Sequence, residues 1–275
     1  MPGGAQRLAR AQERAALEYL SRSPYENVFL SWLIASDRSL SARSSLYVHA
    51  SGQNAVTGVA FFGRQIVLAA DGDAALDAFA EVAAGYRFER MIVGSRPVVE
   101  RYWERIRRWH APPKHVRKSQ PVFVLHRGFR YAGQDNVRVR KALPHEWETV
   151  AGNSAEMIQS ELEYDPRARN AEFNANVRIM IDRGLWWVGE WDGELCFFCN
   201  CGPRSSQTLQ LQGIWTPQHL RGRGLATQAL AGVCAELLRE SPSVSLYVNE
   251  FNEPALRLYK RVGFERAGEL QTLLF

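Results

Sequence analysis

The sequence is poor in cysteine and contains no long hydrophobic run. No apolar stretch approaches the roughly 20 residues that a membrane-spanning helix needs. Charged residues are spread through Met1 to Leu20, where a secretory signal would carry an apolar segment. We therefore expect no membrane partner and a cytoplasmic location.

The four cysteines do not make a metal-binding pattern. Cys196, Cys199 and Cys201 lie close together, but no second pair of cysteines or histidines completes a tetrahedral zinc site, and the segment has the composition of a strand. We expect no metal site. The thiols, including Cys234, should be reduced and mostly buried, as is usual inside a cell.

What the chain does contain is enough apolar residue, 46% of 275, to build one large or two modest domains. Its formal net charge is +5, which favours anionic partners such as phosphates. The basic segment His110 to Gln120 includes Pro112 and Pro113, and we interpret it as an irregular, solvated connector. We do not expect nucleic acid as a partner.

The stretch Leu209 to Leu225, LQLQGIWTPQHLRGRGL, predicts a strand, a glycine-rich turn and the start of a helix. Glycines at 222 and 224 let the backbone approach a ligand closely, and the free N–H groups of the first helical turn lie at the positive end of the helix dipole. Arg221 and Arg223 add charged donors at the same place. This arrangement predicts an anion site that suits a pyrophosphate.

Arg221, Gly224 and Ala226 fit the pattern of motif A of the GNAT superfamily of N-acetyltransferases, which this stretch resembles. The spacing N-x-x-A-x-x-L-Y-x-x-x-G-F from Asn252 to Phe264 resembles the next GNAT motif. The resemblance covers about Asn136 to Phe275. The pairing of this part with the preceding half also resembles bacterial GNAT proteins that carry an N-terminal domain of unknown function.

The resemblance implies transfer of an acetyl group from acetyl-CoA to a primary amine by direct attack on the thioester. It implies that Tyr259 lies near the sulfur as general acid, although an aromatic ring at this position can also simply pack the helix on the sheet. The cofactor contacts that the resemblance implies, besides Tyr259, are Ile214, Trp215, Thr216, Arg221, Gly222, Arg223, Gly224, Leu225, Ala226, Thr227 and Asn252.

The general base and the acceptor remain open at this stage. Glu161, Glu163, Glu250 or a water chain are the candidates for the base, and we interpret His219 as a loop residue. The acceptor is either a small-molecule amine or a protein amine, and the protein is either a monomer or a homodimer. Two alternative functions are a non-catalytic acyl-CoA-binding sensor and a basic adaptor that binds nucleic acid or protein.

The order of predicted elements is the same in the two halves of the chain. We expect an α/β (α+β) GNAT fold with a mixed, mostly antiparallel central sheet flanked by helices, in two tandem GNAT-like lobes, 1–133 and 134–275. A different α/β cap is the alternative for the first lobe. Ala70-Asp71-Gly72-Asp73 stands where its glycine turn should be, and two carboxylates there would repel a pyrophosphate. We expect no acyl-CoA in this half.

Local patterns predict the individual elements. The predicted helices are Arg7–Leu20, Tyr25–Ser36, Asp73–Ala84, Pro97–Trp109, one that begins at Pro144, Asn153–Glu163 and Asn170–Arg183, together with one after the glycine turn and one from Asn252 to Gly263. The predicted strands are Ser45–Ala50, Ala55–Phe62, Gln65–Ala69, Arg90–Val93, Pro121–Leu125, Asn136–Lys141, Leu185–Glu190, Glu194–Asn200, Thr208–Trp215 and Ser243–Val248, with closing strands after Gly263.

Overall fold

The structure of the protein is a computed structural model that describes residues 4–36, 44–52, 55–85, 91–133, 136–162 and 165–275. Within them, the strands are β1 (Gln6–Arg7), β2 (Leu46–Ala50), β3 (Val56–Phe62), β4 (Ile66–Ala70), β5 (Met91–Ser95), β6 (His115–His126), β7 (Arg138–Lys141), β8 (Trp186–Trp191), β9 (Glu194–Arg204), β10 (Leu209–Trp215), β11 (Ser243–Tyr247) and β12 (Glu265–Leu274). The helices are α1 (Glu13–Leu20), α2 (Val28–Ser36), α3 (Asp73–Ala83), α4 (Arg96–Ile106), α5 (Trp147–Leu162), α6 (Asn170–Asp182), α7 (Leu225–Glu240) and α8 (Glu253–Val262).

All of these strands belong to one sheet, in the order β1-β2-β3-β4-β5-β12-β6-β11-β10-β9-β8-β7. Two neighbouring pairs are parallel, β4 with β5 and β10 with β11, and the others are antiparallel. The expectation of a mixed, mostly antiparallel sheet flanked by helices is confirmed.

The two halves exchange strands at the centre of the sheet. β6 comes from the first half of the chain but pairs with β11 and β12 of the second half. β12 comes from the second half but pairs with β5 of the first. Each half therefore completes the sheet of the other.

The helices cross the same boundary. Helix α2 of the first half contacts β9 of the second half. In the opposite direction, Glu172 on α6 lies 3.9 Å from Arg64 in the β3–β4 turn. The two lobes are thus interlocked rather than joined by a linker.

The core of the second half is built on the apolar face of α7. Leu230, Val233 and Leu237 are buried as their helical spacing predicts, and Ala226 of the same stripe is partly buried. Full burial of one such leucine contributes about 1.5–3 kcal/mol. This packing fixes the start of α7 against the end of β10.

Three sequence predictions were wrong in detail. The segment Arg7–Leu20 is not one helix, because β1 occupies Gln6–Arg7 and α1 begins at Glu13. The connector His110 to Gln120 is not irregular throughout, because β6 begins at His115. There the pairing with β12 overrides a charged and locally strand-poor sequence.

The third error concerns α5, because a separate helix from Asn153 was predicted. The helical segment begins at Pro144 as predicted, but its 3-10 turn, Pro144–Glu146, leads directly into the unbroken helix α5, which begins at Trp147. Glu146 precedes it, accepts a hydrogen bond from the Leu143 N–H and is ion-paired with Arg140 at 2.7 Å. This cap stabilises the start of the helical segment at Pro144, where the sequence predicts it. Three residues at predicted boundaries lie outside the described residues. They are Glu163, the predicted end of this helix, Arg90, the predicted start of a strand, and Gln134, the predicted start of the second lobe.

None of the helices that the structure describes is both long and apolar enough to span a bilayer.

The strand exchange predicts that the second half does not fold alone. Residues 134–275 produced separately would leave β11 and β12 without β6, exposing an apolar strand edge that favours aggregation. We expect an aggregated or largely unfolded product in circular dichroism and size-exclusion chromatography. Co-expression with residues 1–133 should restore a soluble complex. A monomeric C-terminal fragment with a cooperative thermal transition would contradict this expectation.

Candidate active site

The candidate site lies where the parallel strands β10 and β11 separate. The two strands pair at Leu209 with Val244 and at Gln210 with Ser245, and no later pair between them is seen among the described residues. β10 nevertheless continues to Trp215 and β11 to Tyr247. The opening between them, called the splay below, exposes backbone N–H and C=O groups that a ligand can bind.

A bulge in β10 contributes to the splay. Between Gln212 and Trp215 the register with β9 shifts, and Gly213 has a left-handed φ of 62°. A Cβ at Gly213 would lie 2.6 Å from the side-chain nitrogen of Asn200. Glycine is therefore required both by the backbone conformation and by the close approach of β9.

The turn that follows β10 brings backbone N–H groups to the mouth of the splay. A short 3-10 turn, Gln218–Leu220, is anchored by the buried side chain of Leu220. Gly222 and Gly224 both have a φ of 78°, and a side chain at either position would point into open space. Gly224 is the N-cap of α7, so the first N–H groups of this helix have no acceptor within it.

Two arginines of this turn lie against aromatic rings. The guanidinium carbon of Arg221 lies 4.3 Å from the ring centre of Trp215, and its Nε donates to the Thr216 carbonyl at 2.9 Å. The corresponding carbon of Arg223 lies 5.7 Å from the ring centre of Trp191. Neither arginine is seen in an ion pair with a described carboxylate. Their charges are therefore available to an anion at the helix start.

The equivalent position in the first half is arranged differently. The connection from β4 to α3 is only Asp71 and Gly72. Asp73, the first residue of α3, is held by Arg101 at 2.7 Å and by Arg105. The hydrogen bond from Arg101, followed by that from Arg105, lowers the pKa of the Asp73 carboxyl. A carboxylate of the protein thus occupies the helix start that would otherwise attract an external anion.

Tyr259 lies on α8, buried beside the splay. Only 5% of it is exposed, and its ring lies 6.0 Å from that of Phe123 and 5.9 Å from that of Phe264. Burial, with smaller contributions from the charges of Glu161 and Cys199, raises the pKa of its hydroxyl well above the usual range. The hydroxyl is thus protonated, and able to donate a hydrogen bond, at any physiological pH.

The other predicted cofactor residues are distributed as follows. Asn252 caps α8 by accepting a hydrogen bond from the Ala255 N–H at 3.2 Å, and Gly263 ends that helix with a φ of 104°. Leu225 is buried in the core, so only its backbone can face a ligand. Partly buried positions at the end of β10 and in the first turn of α7 are Ile214, Trp215, Thr216, Ala226 and Thr227.

The candidate bases have different surroundings. The carboxylate of Glu161, at the end of α5, is close enough to Tyr259 and Tyr247 to raise the pKa of each hydroxyl. Burial raises the pKa of Glu161 itself, and the charge of Arg117 opposes that shift. The backbone N–H of Glu250 donates a hydrogen bond to the Ser119 carbonyl. The charge of the Glu250 carboxylate contributes to raising the pKa of Arg96, at the start of α4. Glu163 lies outside the described residues.

Sequence reasoning missed three residues of this site. Gly213 did carry a local signal, since a lone glycine inside a strand pattern indicates a bulge. Tyr247 ends a predicted strand without any feature that marks it. Arg117 comes from the other half of the chain, and only the long-range pairing of β6 brings it here.

The cysteines do not form a second chemical centre. All four are free and buried, and burial raises the pKa of Cys196 and of Cys201 to about 11. Thiols in this state are poor nucleophiles and poor metal ligands. Among the described residues no group of three or more histidine, cysteine, aspartate or glutamate side chains could hold a metal ion.

Two families match successive parts of the chain. Residues 152–264 match the acetyltransferase (GNAT) family, and residues 44–150 match a domain of unknown function, DUF4081. The second match includes β2 to β7 and the start of α5, and it ends before the splay residues.

Two relatives have acetyltransferase names. A mycothiol acetyltransferase of Acidimicrobium ferrooxidans is 42% identical over 89 residues, which are 30% of this chain and 29% of the relative. An acetyltransferase of Agrobacterium fabrum is 35% identical over 65 residues, which are 24% of this chain and 47% of the relative. The chain thus spans less than half the length of these relatives.

Solved structures resemble the whole chain in fold. A Drosophila protein aligns with a TM-score of 0.65 at 14% identity, covering 98% of both chains. A GNAT-family acetyltransferase of Colwellia psychrerythraea gives 0.61 at 11% identity, covering 99% of this chain and 100% of the other. A tandem GNAT protein from the clavulanic acid biosynthesis pathway gives 0.56 at 13% identity, covering 96% and 94%.

The left-handed backbone at Gly224 predicts opposite effects for two alanine substitutions. Gly224→Ala meets no neighbour but forces alanine to φ 78°, which should destabilise the protein by about 1–2 kcal/mol. Gly152→Ala, also in open space but inside α5, should stabilise it by about 0.5–1 kcal/mol. Urea unfolding of both variants measures the difference. Equal effects would show that the turn does not hold this conformation.

Proposed function

Because the C-terminal half of this chain carries a domain of the GNAT acetyltransferase family, we propose that the protein is an N-acetyltransferase that transfers the acetyl group of acetyl-CoA to a primary amine. The observation that carries the proposal is the combination of the β10–β11 splay with the glycine turn at the start of α7. It offers one continuous path for a pantetheine arm and a pyrophosphate.

In this proposal the pyrophosphate is held by the turn from Arg221 to Thr227. Three observations support the fit: open space above Gly222 and Gly224, N–H groups at the positive end of α7, and the charges of Arg221 and Arg223. The pantetheine arm takes the place of a strand between β10 and β11, with Ile214, Trp215 and Thr216 offering backbone groups on one side and Asn252 near the other. Acetyl-CoA supplies the acyl group.

Glu161 is the base that the structure favours. Burial raises the pKa of Glu161 toward neutral pH. A carboxylate with a pKa nearer to the working pH accepts a proton from an ammonium group more effectively. The neutral amine then attacks the thioester carbonyl carbon. The C–N bond forms, the C–S bond breaks, and the proton lost by nitrogen is balanced by the proton that the sulfur finally gains.

Tyr259 acts on the departing sulfur as a hydrogen-bond donor. A thiol has a pKa of about 8.5, far below that of the buried Tyr259 hydroxyl. Complete proton transfer from tyrosine to the thiolate is therefore unfavourable, whereas a hydrogen bond that strengthens as negative charge develops is favourable. The resemblance implies a general acid, and we propose the narrower role of a hydrogen-bond donor to the sulfur. The packing of the Tyr259 ring against Phe123 and Phe264 positions the hydroxyl.

Calorimetric titration of acetyl-CoA tests the proposed site. We expect one site per chain in the wild type. Gly224→Glu should weaken binding by about tenfold to several hundredfold, because like charges about 4 Å apart repel by about 1–4 kcal/mol. Gly224→Ala, which has the same backbone strain without the charge, should bind nearly as the wild type does. No binding to the wild type would reject the proposal, and two sites per chain would contradict our prediction for the first half.

Replacing Tyr259 separates catalysis from binding. Tyr259→Phe keeps the ring contacts with Phe123 and Phe264 and removes the donor, so kcat should fall by about 10- to 100-fold, the value of a hydrogen bond to a charged group. Acetyl-CoA affinity should change little. Steady-state rates of thiol release with a panel of amines provide the measurement. An unchanged kcat would leave the ring as a packing residue only, and no turnover by the wild type would favour a non-catalytic sensor.

A further inference from the structure

The first half of the chain contributes to the acceptor side of the splay through β6. β6 pairs with β11 only as far as Val122 with Tyr247, so its N-terminal part, His115 to Gln120, extends beyond the end of β11. This places residues of the first half beside the mouth of the splay, next to the end of α5.

A bulge lies in this part of β6. Arg117 pairs with Thr272 and Gln120 with Leu270, so Lys118 and Ser119 on β6 lie opposite the single residue Gln271 on β12. A bulge of this kind changes the direction in which neighbouring side chains point and is frequent beside active sites. Here it accompanies the approach of Arg117 to α5.

Arg117 binds the end of α5 and leaves part of its guanidinium free to bind an acceptor. Its Nη2 donates to the Glu161 carbonyl oxygen at 3.0 Å, which is its one hydrogen bond to described residues. This bond satisfies a carbonyl that the helix end leaves open, and the charge is favourable at the negative end of the dipole. Since a guanidinium has five N–H donors, most of the fork has no acceptor among the residues that the structure describes.

Positive and negative charge therefore stand side by side without neutralising each other by direct contact. The charge of Arg117 lowers the pKa of both Glu161 and Tyr247, so it lies within electrostatic range of each. Its hydrogen bond, however, goes to the backbone of Glu161 and not to the carboxylate. The residue Glu161 is exposed at the protein surface, so an acceptor can reach it, although neighbouring protein atoms reduce the hydration of its carboxylate enough to raise its pKa.

We infer that the acceptor is a small amine that also carries a carboxylate, with Glu161 binding the amino group and Arg117 the carboxylate. A guanidinium matches a carboxylate in shape and can donate two parallel hydrogen bonds to it. The inference rests on the proposed acetyl transfer and adds the acceptor class to it. It makes Arg117 a specificity-determining residue that the N-terminal half supplies to the site of the other half.

Matched acceptors test this inference. Each common amino acid is compared with its carboxamide, which keeps the amine and loses the charge, in an assay of thiol release from acetyl-CoA. We expect the wild type to prefer the acid of at least one pair. Arg117→Gln should lower kcat/KM for that acid by about 10- to 100-fold and leave the amide largely unaffected. Arg117→Lys, which keeps the charge but not the fork, should lose less.

Lys118→Gln is the matched control, because Lys118 is the exposed neighbour of Arg117 on β6 and should keep the wild-type preference. Acetyl-CoA affinity, measured by calorimetry, shows that each variant is folded. Loss of the charge at 117 should also raise the pKa of Glu161, so the acidic limb of the kcat/KM profile moves to higher pH for every acceptor. That shift is independent of the preference for acids.

The outcomes separate the two proposals. Wild-type preference for the amides, equal rates for acid and amide in both proteins, or acetyl-CoA binding without turnover of any amino acid would overturn the acceptor assignment alone. Absence of acetyl-CoA binding to the wild type would overturn the proposed function itself.

Discussion

The pairing of β6 with β12 is the interaction on which the rest of the structure depends. It joins strands from opposite halves along most of their length, and each strand also pairs with a partner from the other half. Neither half can satisfy the backbone groups of its own parallel strand pair without the other, because β11 needs β6 and β5 needs β12. These contacts are distant in sequence, so ordering them costs more chain entropy than the local hairpins β2–β3 and β8–β9 do. The tandem arrangement is therefore a condition of folding and not a simple addition of domains.

The same architecture carries two different helix starts, and electrostatics distinguishes them. In the second half, nine residues between β10 and α7 form a glycine turn with two arginines whose charges lack a carboxylate partner among the described residues. In the first half, two residues connect β4 to α3, and Asp73 fills the positive end of the helix under two arginines of α4. Both halves keep the parallel strand pair that a splay requires. The difference in anion binding between the two halves thus depends on one turn. The first half is still necessary, because it supplies strands to the sheet that both halves share.

The sequence predicted what local chemistry determines. The glycine turn, the Asn252 cap and the Gly263 stop each follow from backbone preferences of one or two residues, and the structure has all three. Pro144 was also predicted to begin a helix, and it does. The sequence wrongly divided this helix from the one predicted at Asn153, because the apolar pattern alone does not show that α5 is continuous. Part of β6 was predicted, as the strand Pro121–Leu125. The part of β6 from His115 to Gln120 was interpreted as a connector, because its basic residues disfavour a strand in the absence of the pairing with β12. Arg117 could not be assigned to the site for the same reason, since its place is a consequence of that pairing.

Burial at the splay changes the chemistry of its two functional groups in complementary ways. The low polarity around Tyr259 disfavours the phenolate, so the hydroxyl remains a donor. The same effect on Glu161 disfavours the carboxylate, which makes it a stronger base. Packing and function are therefore not alternatives for Tyr259, because the rings that hold it also exclude the water that would lower its pKa. To act as a base, Glu161 must still be deprotonated at neutral pH, which limits how far its pKa can rise. The charge of Arg117 lowers the pKa of Glu161 and so opposes the effect of burial. Strand β6 of the first half therefore adjusts the base and also offers a partner for an anionic acceptor.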